Sequence, residues 1–382
     1  MLLMEYIGRA LLAEKGIAVP RAMVVDRVEE LAAVDLAYPV VVKAQVAVGG
    51  RGKAGGVRAA GDAAEMRRAV SEILGMDIRG HRVERVLIVE KVEAVRELFV
   101  SIILDREKKV PVVVFSTRGG VDIEEVAKDD PEAVARAAIS PMVGVREHVT
   151  RYLIDRSRLE PSCFEALHDV LVRLYAVWWD FDCLLAEINP LMLDGDGRLV
   201  AADARINIDD SALPVRQTKI LGFRDSLERE AKALEARQYG FLFIPVRADG
   251  AIAIMSNGSG MLMASLDTLQ RRGMWARSVL DLGGGATAER IAEGIRLVMD
   301  QPGVQGLFAN IFGGITRCDE IAAGVRTAAE RLSDGQFIVI RMEGTNKAKG
   351  REILAASASD RVLTVERLSE AAAVMAERMG RA

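Results

Sequence analysis

Histidine and cysteine are both scarce, three of each in 382 residues, and aromatic side chains make up only 5% of the chain. Cys163, Cys183 and Cys318 lie far apart, with no CxxC pair and no histidine at metal-ligand spacing. That excludes a thiolate metal site and fits a reducing compartment. Cys183, set among Phe181, Leu184 and Leu185, reads as a small buried hydrophobe rather than a reactive thiol. His81, His148 and His168 stand in no setting that would make a nucleophile, and no GxSxG elbow, HExxH helix or Cys/His pair is present. No apolar run reaches the roughly 18 residues of a membrane helix, and Glu5 and Arg9 interrupt the N-terminus before a signal-peptide core can form. An excess of one charge is missing too, since 51 basic residues face 55 acidic ones for a net charge of −4. Without a basic stripe interleaved with aromatics, a nucleic-acid partner is disfavoured. The expectation is a cytoplasmic protein with no membrane contact.

What is present is an ordinary globular balance, half apolar and 28% charged, over a length that favours two domains. Helical spacing of Tyr6, Ile7, Ala10 and Leu11 predicts a first helix from Met4 to Lys15, ended by Gly16. Strand-like runs then follow at Ala22–Val25, Val40–Ala47, Val86–Val92, Leu98–Leu104, Val110–Phe115, Leu184–Leu193 and Leu199–Ala204. Short turn sequences between neighbours, such as Asp194-Gly195-Asp196-Gly197, favour antiparallel hairpins, so this half reads as α+β. From about Ala212 the pattern becomes charged and helical, notably over Ser226–Arg237, and the domain boundary is placed there, giving domains of 1–230 and 231–382. Beyond it, strands at Ala251–Met255, Ser278–Leu280, Gln305–Asn310, Phe337–Arg341 and Val362–Val365 alternate with helices, the rhythm of an α/β doubly wound parallel sheet.

Three stretches carry candidate chemistry. The first runs from the strand around Lys43 into a loop with glycines at 49, 50, 52, 55 and 56 and with Arg51 and Lys53. Bare backbone N–H groups, a lysine point charge and a forked guanidinium suit polyphosphate, although neither GxxxxGK[ST] nor GxGxxG is matched and a plain flexible loop has the same look. Glu90 ends the next strand and could accept hydrogen bonds from a base or ribose, while Glu93 and Glu97 read equally as a solvated face.

The second stretch is Leu185-Ala-Glu187-Ile-Asn189-Pro, joined by a glycine turn to Leu199-Val-Ala-Ala-Asp203. If Gly197 is left-handed in a three-residue loop, Asp194 pairs with Arg198, Asn189 falls opposite Asp203, and Glu187 falls opposite Arg205. An amide oxygen and a carboxylate on one face suit Mg²⁺, and an Asn–Asp hydrogen bond without a metal fits the same pattern. Glu187 could form a salt bridge with Arg205 or act at a reaction centre. The third stretch is Asn310–Asp319, where the amides of Gly314, Ile315 and Thr316 would face outward at a helix N-terminus and hold an anion, or form an ordinary turn.

Lys43-Ala-Gln-Val, Gly49–Gly56, Glu187-Ile-Asn-Pro-Leu191, Asn257-Gly-Ser-Gly260, Asp281–Thr287 and Asn310–Ile315 with Arg317-Cys-Asp319, in this order, resemble the β subunit of succinyl-CoA synthetase. The resemblance implies an ATP-grasp domain followed by a flavodoxin-like CoA-ligase domain. It implies a reaction in which a nucleoside triphosphate, ATP or GTP, and a dicarboxylate give an acyl phosphate, a histidine carries the phosphoryl group, and CoA forms the thioester. The histidine belongs to an α subunit in that family, so a heterodimeric partner that also makes most CoA contacts is implied. Lys43, Gly50, Arg51, Gly52, Glu90 and Glu97 then correspond to nucleotide ligands, with Glu93 contributing its backbone. Asn189 and Asp203 correspond to Mg²⁺ ligands, and Glu187 to the residue that steadies the partner's phosphohistidine. Asn257, Gly314, Ile315 and Thr316 correspond to contacts with the carboxylate substrate and phosphohistidine. Ala47-Val48 replaces the familiar His-Ala of the glycine loop, and Ala204-Arg205 replaces Gly-Lys after Asp203. These departures leave succinate beside malate and other acids as substrates of the shared scaffold, and a catalytically silent binding paralogue as the contrasting reading.

Overall fold

Helix Glu5–Glu14 turns Ile7, Leu11 and Leu12 into a core and ends at Gly16, whose positive φ of 80° lets the Gly16 and Ile17 N–H groups reach back to Ala13 and Leu12. In the computed structural model, which describes residues 1–212, 220, 222, 230–357 and 360–380, the chain divides into two compact units, Met1–Gly222 and Phe223–Ala382. The expected helical stretch from Ser226 is seen only over Ala231–Gln238, its first residues lying outside the described ones. Among the described residues no helix is long and apolar enough to cross a membrane.

Among the described residues the first unit holds two larger antiparallel sheets besides the short pair Asp77–Ile78 and His81–Arg82. One orders its strands Ala22–Val25, Val86–Glu90, Val40–Ala44 and Val57–Ala60. Helix Ala63–Ile73 covers it, capped by Asp62, whose carboxylate accepts the Ala64 and Glu65 N–H groups at 2.9 and 2.8 Å, and burying Met66, Ala69, Val70 and Ile73. The other sheet places Cys183–Leu193 between Arg96–Asp105 and the pair Leu199–Ala201 and Arg205–Ile208, with Val110–Ser116 and Val134–Ala138 beyond. Helix Phe164–Asp180 packs on it through Leu167, Val170, Leu171, Leu174 and Val177, a helical stripe in the same core as the first helix. Residues 1–3 extend this sheet along Arg205–Ile208: the Leu3 N–H donates to Ile206 O and the Ile208 N–H to Met1 O, both at 2.9 Å.

Val40–Ala47, expected as one strand, ends at Ala44, and a second expected strand is interrupted. Leu199–Ala204 stops at Ala201 and pairing resumes at Arg205, because the Ala202 carbonyl leaves the ladder to accept Lys43 Nζ at 2.8 Å and Arg9 Nη1 at 3.4 Å. The register survives the break, with Leu191 opposite Ala201 before it and Glu187 opposite Arg205 after it. Gly197 is left-handed at φ 79° and the Asp194 N–H donates to Arg198 O at 3.0 Å, as the turn sequence predicts.

The second unit is one sheet in the order Leu242–Pro245, Ala276–Asp281, Ile252–Ser256, Gly306–Gly313, Phe337–Gly344 and Val362–Val365. Among the described residues of this unit only Leu242–Pro245 runs antiparallel, an added edge strand whose terminal proline tolerates the edge. Alternate residues face opposite layers: Leu307, Ala309 and Ile311 join the core under helices Ala288–Met299 and Cys318–Ala329, and Ile252, Ile254 and Phe308 the core under Ser259–Gln270 and Leu368–Arg378.

Candidate functional site

The break at residues 202–204 lies where the two sheets of the first unit meet. Lys43 comes from the centre of the smaller sheet, Arg51 from the glycine loop that follows it, and Asp203 from the interrupted strand of the larger sheet. A residue with no pattern signal links them. Glu5, in the first turn of the first helix, is 2% exposed and gives one carboxylate oxygen to Lys43 Nζ at 2.8 Å and the other to Arg51 Nη1 at 2.7 Å. Arg51 Nη2 reaches both Asp203 oxygens at 3.1 Å, and Lys43 Nζ stands 4.0 Å from Asp203. Burial opposes ionisation of Glu5, but the charges and hydrogen bonds of Lys43 and Arg51 outweigh it and hold the carboxyl below the usual range. Burial works against the Arg51 charge too, and Glu5 and Asp203 reverse that.

Asp203 is in the contrary state. Burial, joined by repulsion from Glu5, pushes its carboxyl up against the pull of Lys43 and Arg51. Glu187 is likewise raised by burial and by Asp203, Asp122 and Glu124, and Arg205 offsets this only in part. No ion pair joins Glu187 to Arg205 among the described residues, although the two face each other across the ladder. Asn189 lies on its strand between the residues that pair with Ala201 and Arg205, and no Asn189–Asp203 hydrogen bond forms: its Oδ1 accepts the Gly120 N–H at 2.8 Å and its Nδ2 donates to Val121 O at 3.0 Å. This clamp fixes the amide plane and leaves a second lone pair on Oδ1.

These residues fit a magnesium nucleotide. Oxygen donors from an amide and a carboxylate, with lysine and arginine beside them, are the partial set that Mg²⁺ accepts when phosphates and water complete its shell. Among the described residues no group of three or more His, Cys, Asp or Glu side chains could hold a metal alone. Raised carboxyls at Asp203 and Glu187 are what a divalent cation would relieve.

The other expected nucleotide residues rim the same unit. Gly50 is left-handed at φ 83°, a conformation that favours glycine, and a Cβ on Gly52 would meet nothing within 4 Å, so the space beside this loop is open. Glu90 ends its strand as expected, with Oε1 accepting the Ala37 N–H at 2.9 Å and Arg21 Nη1 at 3.3 Å. Glu93 and Glu97 are exposed, and the Glu97 carbonyl accepts the Gly119 N–H at 2.8 Å, beside the loop that clamps Asn189. Cys183 is buried, and its thiol is pushed up to about 12 by burial and by Asp182.

In the second unit, the order of strands reverses between Ile252–Ser256 and Gly306–Gly313, the point at which open α/β sheets bind ligands. Asn257 bridges this point: its Nδ2 donates to Phe312 O at 2.7 Å and its Oδ1 accepts the Phe312 N–H at 2.9 Å. Helix Cys318–Ala329 has Arg317 as N-cap, so Gly314, Ile315 and Thr316 precede it rather than forming its first turn, and the Gly314 N–H donates to Phe312 O at 3.0 Å. Thr316 is buried, and its hydroxyl accepts the Gly285 and Ala286 N–H groups at 2.9 and 3.3 Å, tying two glycine loops together. Ile315 is 84% exposed above them.

Residues 2–193 match the ATP-grasp domain family and residues 255–376 the CoA-ligase family. By class, fold and site define an acid–thiol ligase in which a nucleotide-binding module precedes a CoA-ligase module. The chain is 40% identical over 383 residues to the succinate–CoA ligase (ADP-forming) β subunit of Desulfatibacillum aliphaticivorans, covering 98% of each protein. It is 40% identical to the corresponding protein of Halobacterium salinarum, covering 97% of this chain and 96% of that one, and 38% identical to that of Burkholderia mallei, covering 96% of both. The chain therefore belongs to the succinate–CoA ligase β-subunit family. ATP citrate lyase from Methanothrix soehngenii, at 18% identity and a TM-score of 0.78 over 99% of both chains, shares the fold.

Proposed function

We propose that this chain is the β subunit of a nucleoside-triphosphate-dependent acid–CoA ligase, most closely a succinate–CoA ligase, with residues 1–230 binding nucleotide and 231–382 forming the CoA-ligase part. The observation that carries this reading is the meeting of Lys43, Arg51 and Asp203 at the strand break, held by Glu5. Lys43 and Arg51, with the backbone of Gly50 and Gly52, hold the phosphates; Glu90, Glu93 and Glu97 hold the nucleoside end; Asn189 and Asp203 hold Mg²⁺. Held there, Mg²⁺ would supply positive charge against the phosphates.

The phosphoryl group passes to an imidazole nitrogen: an N–P bond forms as the P–O bond to ADP or GDP breaks. None of this chain's histidines suits that task. His168 hydrogen-bonds Thr150 Oγ1 at 2.8 Å and stacks on Phe164, and His81 and His148 are exposed on other elements. As the family resemblance implies, the carrier in this reading is a histidine of an α subunit, steadied by Glu187, and the two chains work as a heterodimer. A dicarboxylate oxygen held near Asn257 and the Gly314–Thr316 loop takes the phosphoryl group, the N–P bond breaks, and CoA sulfur displaces phosphate from the acyl carbon.

Co-purification with the histidine-bearing subunit and a screen of succinate, malate and related acids with ATP and GTP tests this reading. Thioester formation that needs both chains and Mg²⁺ is expected, with succinate the best acid. Turnover by the isolated chain contradicts it, and preference for malate selects the malate–CoA ligase reading, which the Arg205 departure beside Glu187 leaves open. A complex that assembles and binds nucleotide without turnover would mark a silent paralogue, against which the intact Lys43, Glu187, Asn189 and Asp203 argue.

A further inference from the structure

We propose that Glu5 is a positioning residue of the nucleotide site: it aims Lys43 and Arg51 as a fixed pair and keeps both when phosphate displaces Asp203 from Arg51. The inference rests on the nucleotide reading above. Its basis is an asymmetry of exposure. The Glu5 side chain is 1% exposed, Lys43 11%, Arg51 15% and Asp203 27%, so the four charges form a graded path from core to solvent. An incoming phosphate competes for whichever partner solvent reaches, and that partner is Asp203.

Glu5 itself cannot follow the cations. Its helix is pinned to the larger sheet where Gly8 lies against Ala204 and Ile206, a Cβ there standing only 3.3 Å from Ala204 Cβ. The helix is pinned to the smaller sheet as well, by the Tyr6 N–H, which donates to Gln45 Oε1 at 3.1 Å. Each Glu5 oxygen serves a different cation, so one rigid carboxylate sets the separation of Lys43 Nζ and Arg51 Nη1. Two cations this deep need a counter-charge to stay buried and aimed, and a guanidinium gives its full fork to a phosphate only when its other edge is held. Once Arg51 turns to phosphate, Asp203 becomes available to the metal, so Glu5 supports both assignments without touching either ligand.

Titration calorimetry of the full chain with ATP and with AMP, each with and without Mg²⁺, tests this inference on wild type, Glu5→Asp and Glu5→Gln. Glu5→Asp keeps the charge but withdraws the carboxylate by one methylene, so it cannot serve both cations. ATP binding to Glu5→Asp should weaken about tenfold, AMP binding by less than about twofold, because the polyphosphate alone reads the aim of both cations. Glu5→Gln should weaken ATP further. Unchanged ATP affinity in Glu5→Asp overturns the inference, as does an equal loss of ATP and AMP affinity, the mark of a purely structural role. Tighter ATP binding by Glu5→Gln, expected of a carboxylate that only dilutes positive charge, overturns it too. If Glu5→Gln does not fold, Glu5→Asp decides alone. A wild-type chain that binds no ATP overturns the nucleotide reading, and this inference with it.

Discussion

The first unit builds its site from charged side chains carried far into the protein, whereas the second builds its candidate site from backbone turns held by a few neutral hydrogen bonds. At the strand break, Glu5, Lys43, Arg51 and Asp203 span four separate segments and neutralise one another. At the switch point of the parallel sheet, Asn257 and Thr316 hold the glycine loops by bonds to main chain. Buried charges fix a geometry only while every partner is present, and removing one leaves the rest uncompensated. Neutral clamps can be lost one at a time. The two sites should therefore fail differently.

The largest effect is expected at the charged site. Asp203→Ala should lower thioester formation in the assembled complex by about a hundredfold or more, the scale on which a preorganised electrostatic group acts. Steady-state assays with co-elution as the control check this, and unchanged turnover removes Asp203 from the metal site. At the neutral site, Thr316→Val deprives the Gly285 and Ala286 N–H groups of their acceptor and should cost about 1–3 kcal/mol in urea unfolding, with Thr316→Ser restoring it. A cost below about 0.5 kcal/mol would mean that the loops hold without the hydroxyl.

An effect confined to alkaline pH, and absent at neutral pH, is expected at Cys183, whose thiol is raised by burial from its usual 9.0 to about 12 in the folded chain. The folded state then keeps a proton that the unfolded state loses, so this contribution is complete below pH 9 and declines up to about pH 12. Cys183→Ser should flatten the stability profile in that window, and native Cys183 should resist maleimide at pH 8.

Much of the frame was legible in the sequence because it rests on local signals. Ala22–Val25 and Val362–Val365 have the expected bounds, and the Asp194–Gly197 turn placed Glu187 opposite Arg205. Among the strands that escaped, several have weak signals: Val57–Ala60 lies at a sheet edge, Val134–Ala138 is alanine-rich, and Leu242–Pro245 ends in proline. Glu5 was invisible for another reason. An acidic residue in a first helical turn is ordinary, and only the approach of residues 38 and 46 positions away makes it the centre of an ion-pair cluster. The interruption at Ala202 likewise follows from a tertiary contact with Lys43 that no strand pattern encodes.

The most direct trial of the account is single-turnover labelling of the co-purified complex with γ-labelled ATP and Mg²⁺. Label should appear on the partner's histidine, never on this chain, and should vanish when Asp203 is replaced by alanine. Acid-labile label on His81, His148 or His168 of this chain, or undiminished transfer in the Asp203 variant, would contradict it.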